Sequence, residues 1–114
     1  MLISGDVVDV DFGVPRGREA GFRRPAVIAT SQTILEGSPG VVQVVPLTSA
    51  VRGFKVEVVM APNSTSGLDF VSAAQCQHLR SVSTDRIGDP RGNVGPLALA
   101  QIRETIARIL DLIP

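Results

Sequence analysis

Apolar and polar residues alternate through the first two-thirds of this chain, and the alternation gives way once, near the C-terminal end, to helical spacing. Val8-Asp9-Val10-Asp11-Phe12 has the period of two that marks a half-buried strand. Residues 13–21 break it with glycine, proline and charge and read as a long mobile loop. Residues 25–30 form a second strand, with Pro25 confined to its start. Residues 41–47, almost continuously apolar, are a third strand with the character of a central one. Residues 55–60 alternate again as a fourth. A turn cluster at Asn63-Ser64-Thr65-Ser66-Gly67 is followed by one or two short strands from Phe70 onward, and residues 88–95 read as loop. Beyond Pro96, which suits the first turn of a helix, Leu99, Ile102, Ile106, Ile109, Leu110 and Ile113 fall on one stripe. On the opposite face Glu104 and Arg108 are spaced as an i,i+4 pair. Short strands followed by one terminal helix predict a mainly β fold, a small and strongly bent antiparallel sheet or barrel capped by that helix.

The length, 114 residues, predicts a single domain over residues 1–114. With 44% hydrophobic and 19% charged residues the chain can bury a core and is not disordered. That core must be aliphatic, because Trp and Tyr are absent and Phe occurs four times. The same scarcity removes the aromatic platforms on which many single-strand binders stack bases. Eleven basic residues cancel eleven acidic ones, so any surface for nucleic acid must be a local patch. Every basic residue but Lys55 is an arginine, which favours planar, bidentate phosphate contacts. One cysteine, Cys76, has no intrachain partner and suits a reducing compartment. There is no run of about 18 apolar residues, and the opening MLISGDVVDVDF carries acids rather than a basic leader, so the expected location is the cytoplasm, away from membranes.

Elimination narrows the chemistry. One histidine, His78, and one cysteine do not make a tetrahedral zinc site or a histidine acid–base pair. No GxxxxGK[ST] phosphate loop is present. Asp6, Asp9 and Asp11 read as the polar edge of a strand rather than a metal cluster, and neither metal nor cofactor is expected. Two segments remain. In the first, Arg16 and Arg18 lead through a loop into Arg23-Arg24-Pro25. Neighbours on a strand point to opposite faces, so only one of Arg23 and Arg24 faces a given groove, and Pro25 holds Arg24 extended. In the second, a buried strand ends at Thr48 and Ser49 and runs on through Arg52-Gly53-Phe54-Lys55. Solvated loop residues and turn caps account for these as well as phosphate contacts do.

Taken in order, the motifs resemble the MazF/PemK toxins along nearly the whole chain: Gly5-Asp6-Val7-Val8, then Gly17-Arg18-Glu19, then Arg24-Pro25-Ala26-Val27-Ile28. Val44-Val45-Pro46-Leu47-Thr48-Ser49 is similar to the family's strand ending in a hydroxyl. Gln75 with Leu79-Arg80-Ser81-Val82 and Asp85-Arg86-Ile87 resembles its later block, and Leu110-Asp111-Leu112 ends the helix. The resemblance implies an SH3-like bent barrel with a C-terminal helix, forming a homodimer around an RNA groove. It implies a metal-independent endoribonuclease that cuts single-stranded RNA sequence-selectively, inhibits growth or translation, and is neutralised by a cognate antitoxin.

Carried over residue by residue, the catalytic roles fall on Arg24 and Thr48, with Glu19 as the acidic residue before the Arg-Pro motif, either as base or as the group orienting Arg24. Attack of the RNA's own 2′-OH then leaves a 2′,3′-cyclic phosphate and a 5′-OH, with Arg24 and Thr48 stabilising the phosphorane oxygens. Arg16, Arg18, Arg23, Ser49, Arg52 and Lys55 are expected along the phosphates, and Gln75 and Gln77 at base edges. No role falls on His78, and Cys76 reads as a small buried hydrophobe. The competing readings are a toxin of the same fold that binds a protein target such as a topoisomerase, and a catalytically silent RNA-binding module.

Overall fold

A computed structural model describes residues Met1–Pro114. Its strands are β1 (Asp6–Asp11), β2 (Arg23–Ile28), β3 (Val41–Thr48), β4 (Glu57–Met60), β5 (Ser72–Gln75), β6 (Arg80–Ser83) and β7 (Ile87–Asn93). Its helices are α1 (Gln32–Leu35) and α2 (Gly95–Ile109). The strands form one antiparallel sheet in the order β4-β5-β3-β2-β1-β7, with β6 on the remaining stretch of β3. This is the expected mainly β class with a C-terminal helix, and the sheet stays open, with β4, β6 and β7 each paired on one side only.

β3 is the hub. One side of it pairs with β2, while the other pairs first with β6 and then, through Leu47 and Thr48, with β5. Its continuous apolar run follows from burial on both faces. Val45 and Leu47 join Val7, Val27, Met60 and Ile102 in one core, whereas Val42 and Val44 join Val8, Val10, Ala26 and Ile28 in another. Neighbouring valines point to opposite faces, and both find cover.

α2 closes the first core with Leu99 and fully buried Ile102, and its Arg103 fastens it to the end of β2 by donating to the carbonyls of Ala29 at 3.2 Å and Thr30 at 3.3 Å. Farther along the expected stripe, Ile109, Leu110 and Ile113 are exposed. No helix is long and apolar enough to cross a membrane.

Four elements depart from the sequence reading, the first being β2, which runs Arg23–Ile28 rather than 25–30 and so holds Pro25 inside the strand instead of at its start. Residues 88–95 were expected as loop, yet most of them belong to β7, paired irregularly with β1. Gly92 is there for close approach rather than for a turn, since a Cβ on it would lie 2.4 Å from the Thr65 carbonyl oxygen. Pro90 is tolerated because β7 is an edge strand. α1, capped by Ser31, is only four residues long and too short to show a period. β4 begins at Glu57 rather than Lys55, because the Glu57 carboxylate gathers the preceding residues into a turn by accepting from the backbone N–H of Arg52 at 3.2 Å and of Phe54 at 3.3 Å.

Candidate functional site

The site starts from strand register. Ala26 pairs with Pro46, Val27 with Val45 and Ile28 with Val44. Continued toward the start of β2, that register sets Arg24 opposite Thr48, and residues directly opposite on an antiparallel pair share a face. Arg24 also lies opposite Val10 of β1, on the face of the second core, while Arg23 opposite Asp11 points the other way and is exposed.

The Arg24 side chain is half-buried and held at both ends of its guanidinium. Nε donates to the Gly21 carbonyl at 3.2 Å, and Nη1 crosses β3 to donate to Gln75 Oε1 on β5 at 3.3 Å. Thr48, also half-buried, accepts at Oγ1 from the Ala50 N–H at 3.1 Å, which leaves its hydroxyl proton free to donate. The turn-cap and phosphate-donor readings of Thr48 are therefore compatible.

The approach to Arg24 is shaped by residues 13–22. The Phe22 N–H donates to the Gly13 carbonyl at 2.6 Å, and the backbone of Gly21 lies so close to the Pro15 ring that a Cβ would sit 2.4 Å from it. Glu19 is exposed in this loop and accepts from the Arg16 N–H at 2.9 Å. The structure does not join Glu19 to Arg24, whose donors go to Gly21 and Gln75 instead.

One cleft reaches Arg24 through its partner Gln75, and another is lined by Thr48 itself. Arg18, Arg52, Phe54, Gln75, Gln77 and His78, with Glu57 behind them, line the first. Thr48, Ser49, Pro25, Asp69, Phe70 and Arg91 line the second. Arg18, Arg52, Gln75 and Gln77 are thus brought together and Ser49 stands beside Thr48, whereas Arg16, Arg23 and Lys55 are exposed outside both clefts. The chain's ion pairs are Arg91 with Asp9 and with Asp69, and Arg108 with Glu104. Neither Arg24 nor the Arg18 and Arg52 of the first cleft takes part in an ion pair, although Glu57 shares that cleft with the latter two.

The aspartates near the N-terminus have structural partners. Asp6 accepts from Ile3 N–H and Asn93 Nδ2, Asp11 accepts from Gly13 N–H, and Asp9 faces Arg91 at 3.6 Å. Cys76 is buried against α2, and burial pushes its thiol up to about 11, so it is no nucleophile at neutral pH. Phe54, Glu57 and Phe70 line the clefts without having been singled out in the sequence, and so does His78, to which the sequence assigns no role. The only hint for Phe54 was its position two residues after Arg52.

A family model described as PemK-like, MazF-like toxin of type II toxin-antitoxin system matches residues 3–110. The chain is 34% identical over 116 residues to Endoribonuclease MazF9 of Mycobacterium tuberculosis, covering 98% of each. It superposes on MazF (Form-I) from Deinococcus radiodurans with a TM-score of 0.79 at 28% identity, covering 95% of this chain and 94% of that one. It also superposes on a chain of MazE-MazF (Form-II) from the same organism with a TM-score of 0.73 at 28% identity, covering 96% of each. The protein belongs to the PemK-like, MazF-like toxins of type II toxin–antitoxin systems.

Proposed function

We propose that this toxin is a metal-independent endoribonuclease that cuts single-stranded RNA sequence-selectively in the cytoplasm, acts as a homodimer, and is neutralised by a cognate antitoxin. The observation that carries the reading is the half-buried Arg24 guanidinium, free of any carboxylate and fixed by Gly21 and Gln75, on the strand position that the continued β2–β3 register sets opposite Thr48, whose hydroxyl proton is free. A scissile phosphate over this pair meets a cation and a neutral donor already in position, which is what a phosphorane with developing negative charge requires. The naming of a related protein as Endoribonuclease MazF9 supports the same activity, and the MazE-MazF structure of another relative supports an antitoxin partner.

The 2′-OH of the RNA attacks the adjacent phosphorus and the 5′-oxygen leaves, giving a 2′,3′-cyclic phosphate and a 5′-OH. Gln75 and the Gly21 carbonyl orient Arg24. Glu19 serves as base only when residues 13–22 swing over bound RNA, because in the free chain its carboxylate is turned to Arg16. Arg18 and Arg52 hold flanking phosphates, with Ser49 next to Thr48, Arg16 and Lys55 farther out and Gln77 at a base edge, while Arg23, on the opposite face, takes no part.

The test is cleavage of a long unstructured RNA in the presence of a chelator. Cleavage with the stated ends is the expected result, and dependence on added Mg²⁺ contradicts the mechanism. Arg24→Ala and Thr48→Ala should each lower the rate by about two to three powers of ten with thermal unfolding little changed.

A further inference from the structure

The first cleft holds two side chains that the proposed cleavage does not use, His78 and Phe54. Phe54 is one of three phenylalanines on the surface, with 52% of its area exposed, although burying that area elsewhere in the molecule would be favourable. It is also rigidly presented. The Glu57 carboxylate accepts from the backbone N–H groups of Arg52 and Phe54, and the Glu57 N–H donates to the Phe54 carbonyl at 3.0 Å. An exposed aromatic ring on a pinned turn has little conformational freedom left to lose on binding.

Opposite it, His78 ends a single 3-10 turn, Cys76–His78, whose first residue is buried beneath α2. The backbone under the imidazole is therefore fixed to the core. Of the polar side chains in the cleft, Gln75 is occupied by Arg24 and Glu57 by its own turn. The His78 ring and the Gln77 amide have no intramolecular partner, so their donors and acceptors are available to a ligand. Arg18 and Arg52 at the rim supply the charge that a neighbouring phosphate needs.

We infer that this cleft is a nucleobase subsite, in which one unpaired base next to the scissile phosphate stacks on Phe54 and presents its edge to His78 and Gln77. The inference rests on the ribonuclease reading and adds to it a specificity-determining residue, His78. Gln75 connects the subsite to the chemistry, since the amide whose oxygen holds Arg24 forms part of the cleft wall. The sequence alone pointed away from stacking because aromatic residues are few. The fold compensates by leaving one of them uncovered where a base can reach it.

Two measurements test this. The first maps cleavage ends in a random-sequence RNA pool for wild type and His78→Ala. The variant should lose base preference at one position of the recognised sequence, with about a tenfold or greater fall in selectivity there, and keep it at the others. The second measures binding of a single-stranded oligonucleotide carrying 2′-deoxy at the scissile nucleotide, which cannot be cut. Phe54→Leu keeps the apolar volume but removes the ring face, and should weaken binding by about 10- to 100-fold. Unfolding curves of both variants should match wild type. If both variants keep the wild-type site preference and affinity, the subsite is wrong and the nuclease reading is untouched. If wild type binds the oligonucleotide through Phe54 and His78 but cleaves no RNA, the nuclease reading fails and the subsite stands.

Discussion

At the scale of single residues, what matters about Arg24 is its shape as much as its charge. The guanidinium uses one edge for Gly21 and another for Gln75, and so spans three strands with its remaining N–H groups directed by the two it has committed. A lysine keeps the charge but offers no planar fork. Arg24→Lys is therefore expected to lose most of the gain over Arg24→Ala, recovering no more than about tenfold in rate. Recovery to near the wild-type rate, measured on the same RNA, rules out orientation by Gln75. Cys76 gives a pH-dependent counterpart. Its folded thiol is raised from 9.0 to about 11, so the folded chain holds that proton more tightly than the unfolded chain. The resulting stability is complete below pH 9.0 and is lost as pH rises toward about 11. Urea midpoints between those limits should fall more steeply for wild type than for Cys76→Ala, and parallel slopes for the two contradict this assignment. Arg24 and Thr48 were legible as candidates in the sequence, but their juxtaposition was not, because it depends on the register of β2 on β3. Phe54 and His78 were not legible, because a carboxylate-bound turn and a single 3-10 turn place them, and neither leaves a period in the sequence.

The elements show the same division between periodic and compressed features. β1, β3 and α2 were readable because each repeats its pattern over several residues. β7 was hidden by Gly88, Pro90 and Gly92, residues that normally mark turns. Here two glycines serve crossing backbones instead. Gly67, in the turn before β5, has φ +68°, and a Cβ on it would sit 2.4 Å from the Arg91 carbonyl oxygen of β7. Gly67→Ala therefore meets both an unfavourable backbone conformation and a contact with main chain that does not yield easily. It should destabilise by about 1–3 kcal/mol, comparable to truncating a core residue of α2. For Ile102→Ala, with Ile102 fully buried on the core-facing side of α2, the expected loss is about 2–5 kcal/mol. Chemical denaturation of both variants checks the comparison. A neutral Gly67→Ala shows that the β7 crossing is not the reason for that glycine.

For the whole molecule, the deciding question is whether each reaction centre belongs to one chain or to two. A single copy leaves Ile109, Leu110 and Ile113 of the terminal stripe exposed, and it leaves Arg24 and Thr48 on an open sheet face rather than in an enclosed channel. A homodimer supplies further walls, and light scattering should report about twice 12.0 kDa. Such a dimer does not by itself require that the centre be shared. The β2–β3 register, continued two residues past its last pair, Ala26 with Pro46, sets Arg24 opposite Thr48 within one chain, and Gln75 of that chain holds the guanidinium. Arg24→Ala and Thr48→Ala chains, each inactive, can be unfolded together and refolded as a mixture. If the centre is intrachain, every heterodimer carries one site without the arginine and one without the hydroxyl, and the mixture stays inactive. If Arg24 instead works with the partner's hydroxyl, half the dimers regain one intact site of two, and about a quarter of wild-type activity returns. The geometry of a single chain predicts silence, so recovered cleavage in the refolded mixture would move the reaction from the face of one sheet to the seam between two.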